Sequence, residues 1–149
     1  MSNVRHRKQM ATTPHRLNVP GDFYVEKSCC LSCGVPFLEA PGLFKWDAEG
    51  QCYIDKQPEG VVELDQMFKA FSVADLGCIR YKGTQRVIQI RLVQAGEGAQ
   101  CDQLESDLAA IHRNMSDERL TSEYRHARKK SNTNQSLLRR LLVRLFGDA

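Results

Sequence analysis

Nowhere in the 149 residues do about 18 apolar side chains run together, so the sequence offers no candidate membrane-crossing helix. The first twenty residues carry Arg5, Arg7, Lys8 and Arg16 but no apolar stretch. That pattern is not a secretory signal, and a cytoplasmic protein is the expectation. No segment repeats at a solenoid period. The chain has four histidines, His6, His15, His112 and His126, and all lie outside the central apolar region. No acid–base pair or activated nucleophile can be picked out, so no enzymatic activity is expected. The net charge of +3 is small, and the basic residues at the two ends are not interleaved with aromatics as a base-stacking surface requires. Nucleic acid is therefore not expected as a partner.

Hydrophobic residues at 42% and charged residues at 26% are the proportions of a folded domain. The apolar residues concentrate between Phe23 and Val93. A core of ~70 residues is small enough to need a disulfide or metal staple. Composition divides the chain into a disordered basic arm over 1–20, an α+β domain over 21–95, and a helical, partly flexible basic extension over 96–149. Inside the domain, Asp22 to Glu26 alternates as a short strand. Val35 to Ala40 can make one helical turn, stopped by Pro41 and Gly42. Leu43 to Trp46 and Gln51 to Ile54 read as a hairpin around Asp47-Ala48-Glu49-Gly50. Val61 to Val73 has helical spacing, and Arg86 to Val93 alternates like a strand with Ile88, Ile90 and Leu92 on its buried face. Beyond Gly98, Leu104, Leu108 and Ile111 are spaced for an amphipathic helix. Leu137 to Phe146, set among Arg139, Arg140 and Arg144, reads as a second and basic one, suited to docking or capping.

The richest chemistry lies in Ser28-Cys29-Cys30-Leu31-Ser32-Cys33-Gly34-Val35-Pro36, which holds three of the six cysteines within five residues. Cys78 follows the helix-like run and can close a site with them. In a reducing compartment clustered cysteines bind metal more often than they pair, and the neighbours Cys29 and Cys30 cannot readily pair with each other. A structural zinc site takes two C-x-x-C or H-x-x-x-H pairs, and only Cys30-Leu31-Ser32-Cys33 is present, so zinc is the alternative. A redox C-x-x-C opens a long helix, whereas here Gly34 and Pro36 follow at once. An iron–sulfur site suits the loop better. Small residues let backbone amides face the sulfurs, and a remote thiolate arrives from another element. Leu31, Val35, Phe37, Leu38 and Ile79 would shield it. Cys52 and Cys101 read as buried core thiols.

Residues 24–53 also resemble the single-cluster bacterial ferredoxins, whose pattern is a strand, C-x-x-C-G-x-C, A-P-x-aliphatic-F, an acidic-glycine turn and a returning strand. Here stand Tyr24-Val25-Glu26, Cys30-Leu31-Ser32-Cys33-Gly34, Ala40-Pro41-Gly42-Leu43-Phe44, and Asp47-Ala48-Glu49-Gly50 ahead of Tyr53. Through Cys78 the likeness covers about residues 22–82. It implies a small ferredoxin-like domain (strand, cluster loop, β-hairpin, helix, strand), a 4Fe–4S cluster in preference to a 3Fe–4S one, and one-electron transfer to a redox partner protein. That partner would be acidic if Arg80, Tyr81 and Lys82 form a basic rim. The family places its third loop cysteine where this chain has Pro36, and a proline where it has Ile79. The resemblance therefore supplies Cys30, Cys33 and Cys78 as ligands, with Cys29 filling the vacant role and Cys52 as the second candidate. The C-C-x-x-C-G-V-P loop with Gly77-Cys78-Ile79-Arg80-Tyr81 resembles a divergent ferredoxin-like group. The reading from a different class is a non-redox interaction module whose cysteines hold zinc or a structural cluster.

Overall fold

Short strands need neighbours to bury both faces, and here they find them far along the chain. The computed structural model describes residues 12–74, 76–123, 125 and 126. β1 (Phe23–Val25) pairs antiparallel with β4 (Ile79–Tyr81), with Phe23 opposite Tyr81 and Val25 opposite Ile79. β2 (Phe44–Trp46) and β3 (Cys52–Ile54) form the expected hairpin, with Trp46 opposite Cys52. Its turn is closed by Asp47, whose carboxylate accepts the N–H groups of Glu49 at 2.9 Å and Gln51 at 2.8 Å. Gly50 there takes φ 76°, a conformation that suits glycine. The protein is thus a small mixed α+β domain with two two-stranded antiparallel sheets.

α1 (Val35–Glu39) starts at Gly34, with Pro36 in its first turn, where a missing N–H costs nothing. α2 (Gly60–Val73) buries Met67, Phe68, Ala70 and Phe71, one stripe at helical spacing. That stripe meets Phe23, Leu43, Ile54 and Tyr81 in one core. Each large side chain buried there contributes about 1.5–3 kcal/mol. Phe23 packs between Phe71 (ring centroids 5.9 Å) and Tyr81 (4.9 Å), joining helix to sheet.

Two expectations are corrected. Arg86 to Val93 is not a strand but a helix, α3 (Arg86–Gln94). Its buried residues are Ile88, Gln89, Leu92 and Val93, spaced by three and four along the chain, while Val87 is exposed. A two-residue alternation can hide a helical face when the decisive buried position is polar. Gln89 is fully buried; its amide donates to the Gln103 carbonyl at 2.7 Å and its carbonyl accepts the Glu105 N–H at 3.2 Å. The strand that follows α2 is β4 instead. The second correction concerns the arm over 1–20, of which residues 12–20 are packed rather than disordered. The Asn18 side chain accepts N–H groups from Val25 (3.2 Å) and Ile54 (3.0 Å) and donates to the Val25 carbonyl (2.9 Å). Asn18 thereby stitches the two sheets together.

After α3 a short 3-10 turn (Gly98–Gln100) leads to Cys101, which bridges Tyr81 in parallel. A helix then runs through 106–123, with Leu108 buried, in keeping with the helical extension expected there. The Leu137 to Phe146 segment lies outside the described residues, as does the rest of the extension from 127 onward.

Candidate metal centre

The cysteine loop leaves β1 and enters α1 through two residues with positive φ, Ser32 at 57° and Gly34 at 73°. These bends hold the loop over the hairpin, and the Ser32 hydroxyl donates to the Gly50 carbonyl at its turn. The Ser32 N–H points at the Cys30 sulfur, 3.4 Å away, the amide-to-sulfur arrangement that a thiolate site uses. Cys78 sits one register position beyond Ile79, where its carbonyl accepts the Glu26 N–H at 2.9 Å. The β1–β4 ladder therefore delivers Cys78 to the foot of the loop.

Five of the six cysteines converge at this end. Cys30, Cys33, Cys52 and Cys78 line one cavity of about 30 Å³, with Pro36 and Ile79 among its other walls. Such a volume is about one water's share of the liquid, ~30 Å³. Cys29 and Cys78 are joined as a disulfide, with Cα atoms 5.5 Å apart. Cys30 and Cys52 are buried free thiols, and Cys33 is free and exposed. Burial raises the Cys52 thiol pKa far above its ordinary value, and the neighbouring Cys30 and Cys33 sulfurs raise it further. Cys101 lies elsewhere, beside Asp102; burial first, then that carboxylate, pushes it up to about 11.

The four residues expected as ligands are thus brought together, but two of them, Cys29 and Cys78, are bonded to each other. Among the described residues no three Cys, His, Asp or Glu side chains stand close enough to hold an ion in this arrangement. The donor chemistry fits a thiolate-held metal group, while the closed disulfide withholds two of the four expected donors from it. Cys52, expected from sequence as a core thiol and as the second candidate for the fourth ligand, belongs to the cavity. Its place opposite Trp46 in the hairpin register is what carries it there, and the Gly50 turn was the available signal.

The expected basic rim is not formed as read. Arg80 is largely buried, its Nε donating to Asp102 at 2.8 Å, and the same carboxylate accepts the Tyr24 hydroxyl at 2.7 Å. Tyr81 is fully buried. The surface beside the cavity is apolar instead, with Leu31 and Leu76 both more than half exposed at its edge. His15, on the segment before β1, donates through Nε2 to the Asp47 carboxylate at 3.0 Å and stacks on Tyr53, so it braces the hairpin turn rather than joining the sulfurs.

Among the described residues no helix is long and apolar enough to cross a membrane. Comparison with known proteins finds no matching family model, no similar curated protein and no similar solved structure.

Proposed function

We propose that the domain is a small iron–sulfur electron carrier that exchanges one electron with a partner protein and has no catalytic group of its own. The observation that carries this reading is the convergence of sulfur from three separate elements on one cavity: the loop after β1, the hairpin strand β3, and the α2–β4 junction. A small core is commonly stapled by a disulfide or a metal, and four sulfurs around one cavity are a donor set for such a staple. The element order β1-α1-β2-β3-α2-β4, with β1 paired to β4 and β2 to β3, is of the βαββαβ kind that the ferredoxin resemblance implies and so supports it.

A bound cluster would supply a one-electron couple whose potential depends on sulfur hydrogen bonds and solvent access. The chain's own residues set those conditions. Cys30 and Cys33 offer loop thiolates and Cys78 a remote one. The Ser32 N–H donates toward the Cys30 sulfur, and Ile79 and Pro36 wall out water. Cys33 is the exposed sulfur, next to Leu31 and Leu76, so the electron would enter or leave across that apolar edge.

The size of the cavity favours a second reading. About 30 Å³ suits a single ion better than a many-atom cluster, as in a non-redox interaction module built around structural zinc. Anaerobic purification separates the two. The first reading requires brown protein with iron, acid-labile sulfide, absorption near ~400 nm and an EPR signal in one redox state. Colourless protein with stoichiometric zinc would replace it with the second.

A further inference from the structure

Cys52 is 4% exposed and shares its cavity with Cys30, Cys33 and Cys78. Cys29 is not among the residues lining that cavity; its sulfur reaches Cys78 from the turn that follows β1. Pro36 presents the cavity with a ring that has no donor. One cavity therefore has four sulfurs around it, three as free thiols and one capped by a sulfur from outside.

We propose that the metal-holding set is Cys30, Cys33, Cys52 and Cys78, and that Cys29 is the partner that caps Cys78 as a disulfide when the set holds no metal and a two-electron oxidant such as dioxygen takes up the two electrons and two protons. The assignment rests on the metal-centre reading above and changes its fourth ligand from Cys29 to Cys52. The closed cap takes Cys78 out of the set, and in that state no three donors among the described residues are placed to bind an ion.

Opening the cap needs a dithiol reductant. One of its thiolates attacks a sulfur of the Cys29–Cys78 bond, and the mixed disulfide resolves by attack of the second thiolate. Two electrons pass, the reductant becomes a cyclic disulfide, and Cys29 and Cys78 each gain a proton. On metal uptake the Cys78 thiol gives that proton to solvent and Cys29 keeps its own. Metal and disulfide thus exclude each other through a single shared sulfur.

The test uses the full chain, freed of metal, and cobalt(II) alone as the probe, in wild type, Cys29→Ser and Cys52→Ser. After reduction by a dithiol without oxygen, wild type and Cys29→Ser develop sulfur-to-cobalt charge-transfer bands of equal intensity. Cys52→Ser loses about a quarter of that intensity, one thiolate in four. Before reduction, air-oxidised wild type takes up no cobalt, whereas Cys29→Ser takes it up at once. Because Cys52→Ser could fail by misfolding, wild type alone gives a second readout. In the metal-loaded chain Cys29 is alkylated, as seen by peptide mass spectrometry.

Loss of the bands in Cys29→Ser with retention in Cys52→Ser overturns the assignment and leaves the metal centre standing. So does protection of Cys29 by bound metal. Reduced wild type that takes neither cobalt nor iron overturns both the assignment and the reading beneath it, and does so before any substitution is made.

Discussion

Cys52 and Cys101 are alike in every property that burial measures. They are 4% and 2% exposed, both are free thiols, and burial raises both pKa values. Their neighbours differ. Cys52 faces other sulfurs across a cavity, while Cys101 packs beside Tyr81, Asp102 and Arg80. At the Cys101 end Arg80 and Tyr24 share Asp102 and Gln89 holds Gln103 and Glu105, while the buried side-chain oxygen of Gln100 has no partner among the described residues. At the Cys52 end the thiols have one another and the Ser32 N–H. A buried cysteine is therefore informative through its company and not through its depth.

Substitutions at the two ends should break this contrast or sharpen it. The largest effect is expected at the sulfur end, where Cys33→Ser and Cys78→Ser should each abolish or destabilise the metal site; full metal content by elemental analysis in either variant would refute the ligand assignment. For stability in the metal-free oxidised chain, Cys29→Ser opens a loop spanning 49 residues. The expected cost is about 2–4 kcal/mol, read by denaturant unfolding under non-reducing conditions. At the opposite end, Gln89→Leu leaves the Gln103 carbonyl and the Glu105 N–H without their partner. A loss of about 1–3 kcal/mol for each buried group left unpaired is expected, with metal content unchanged. Cys101→Ala should cost only about 1 kcal/mol of burial and also keep its metal, unlike the equally buried Cys52.

The acid limb gives a smaller effect. The Asp47 pKa is held below its ordinary 3.8, chiefly by the Gln51 N–H, with burial opposing and the His15 contact assisting. A lowered carboxylate pKa stabilises the fold above the unfolded value, and that stabilisation is lost as pH falls through the folded one. The hairpin should therefore loosen only below pH 3.8, and Asp47→Asn should flatten that limb of the stability profile. The smallest effect is expected from deleting 131–149, which should leave metal content intact; loss of metal would make that segment part of the site.

Local patterns carried much of this fold. The hairpin was legible because Asp47 to Gly50 is turn chemistry between apolar runs. α2 was legible because Leu64, Met67, Phe68 and Phe71 recur at helical spacing. α3 was misread because Arg86 to Val93 has strand-like composition and alternation, and its helix depends on Gln89 finding partners at Gln103 and Glu105. Such long-range hydrogen bonds leave no local trace. The packing of residues 12–20 was hidden for the same reason, since Asn18 gains its three bonds only from β1 and β3. In the candidate site, the loop and Cys78 stood out by clustering and by resemblance. Cys52 stood only as the second candidate because hairpin register, not spacing along the chain, carries it to the others. The Cys29–Cys78 bond was hidden because it depends on the pairing of Glu26 with Cys78, which a linear reading does not contain.

The chain has one tryptophan, Trp46, and its ring stacks on Phe37 of α1 at 4.4 Å between centroids. It also lies opposite Cys52 in the hairpin and close to Gly34 at the end of the cysteine loop. Its fluorescence is thus an intrinsic optical gauge of this corner alone. Opening the cap, filling the cavity or displacing the loop would each change the quenching of one identifiable emitter, so the state of the sulfurs could be followed in real time without any added label.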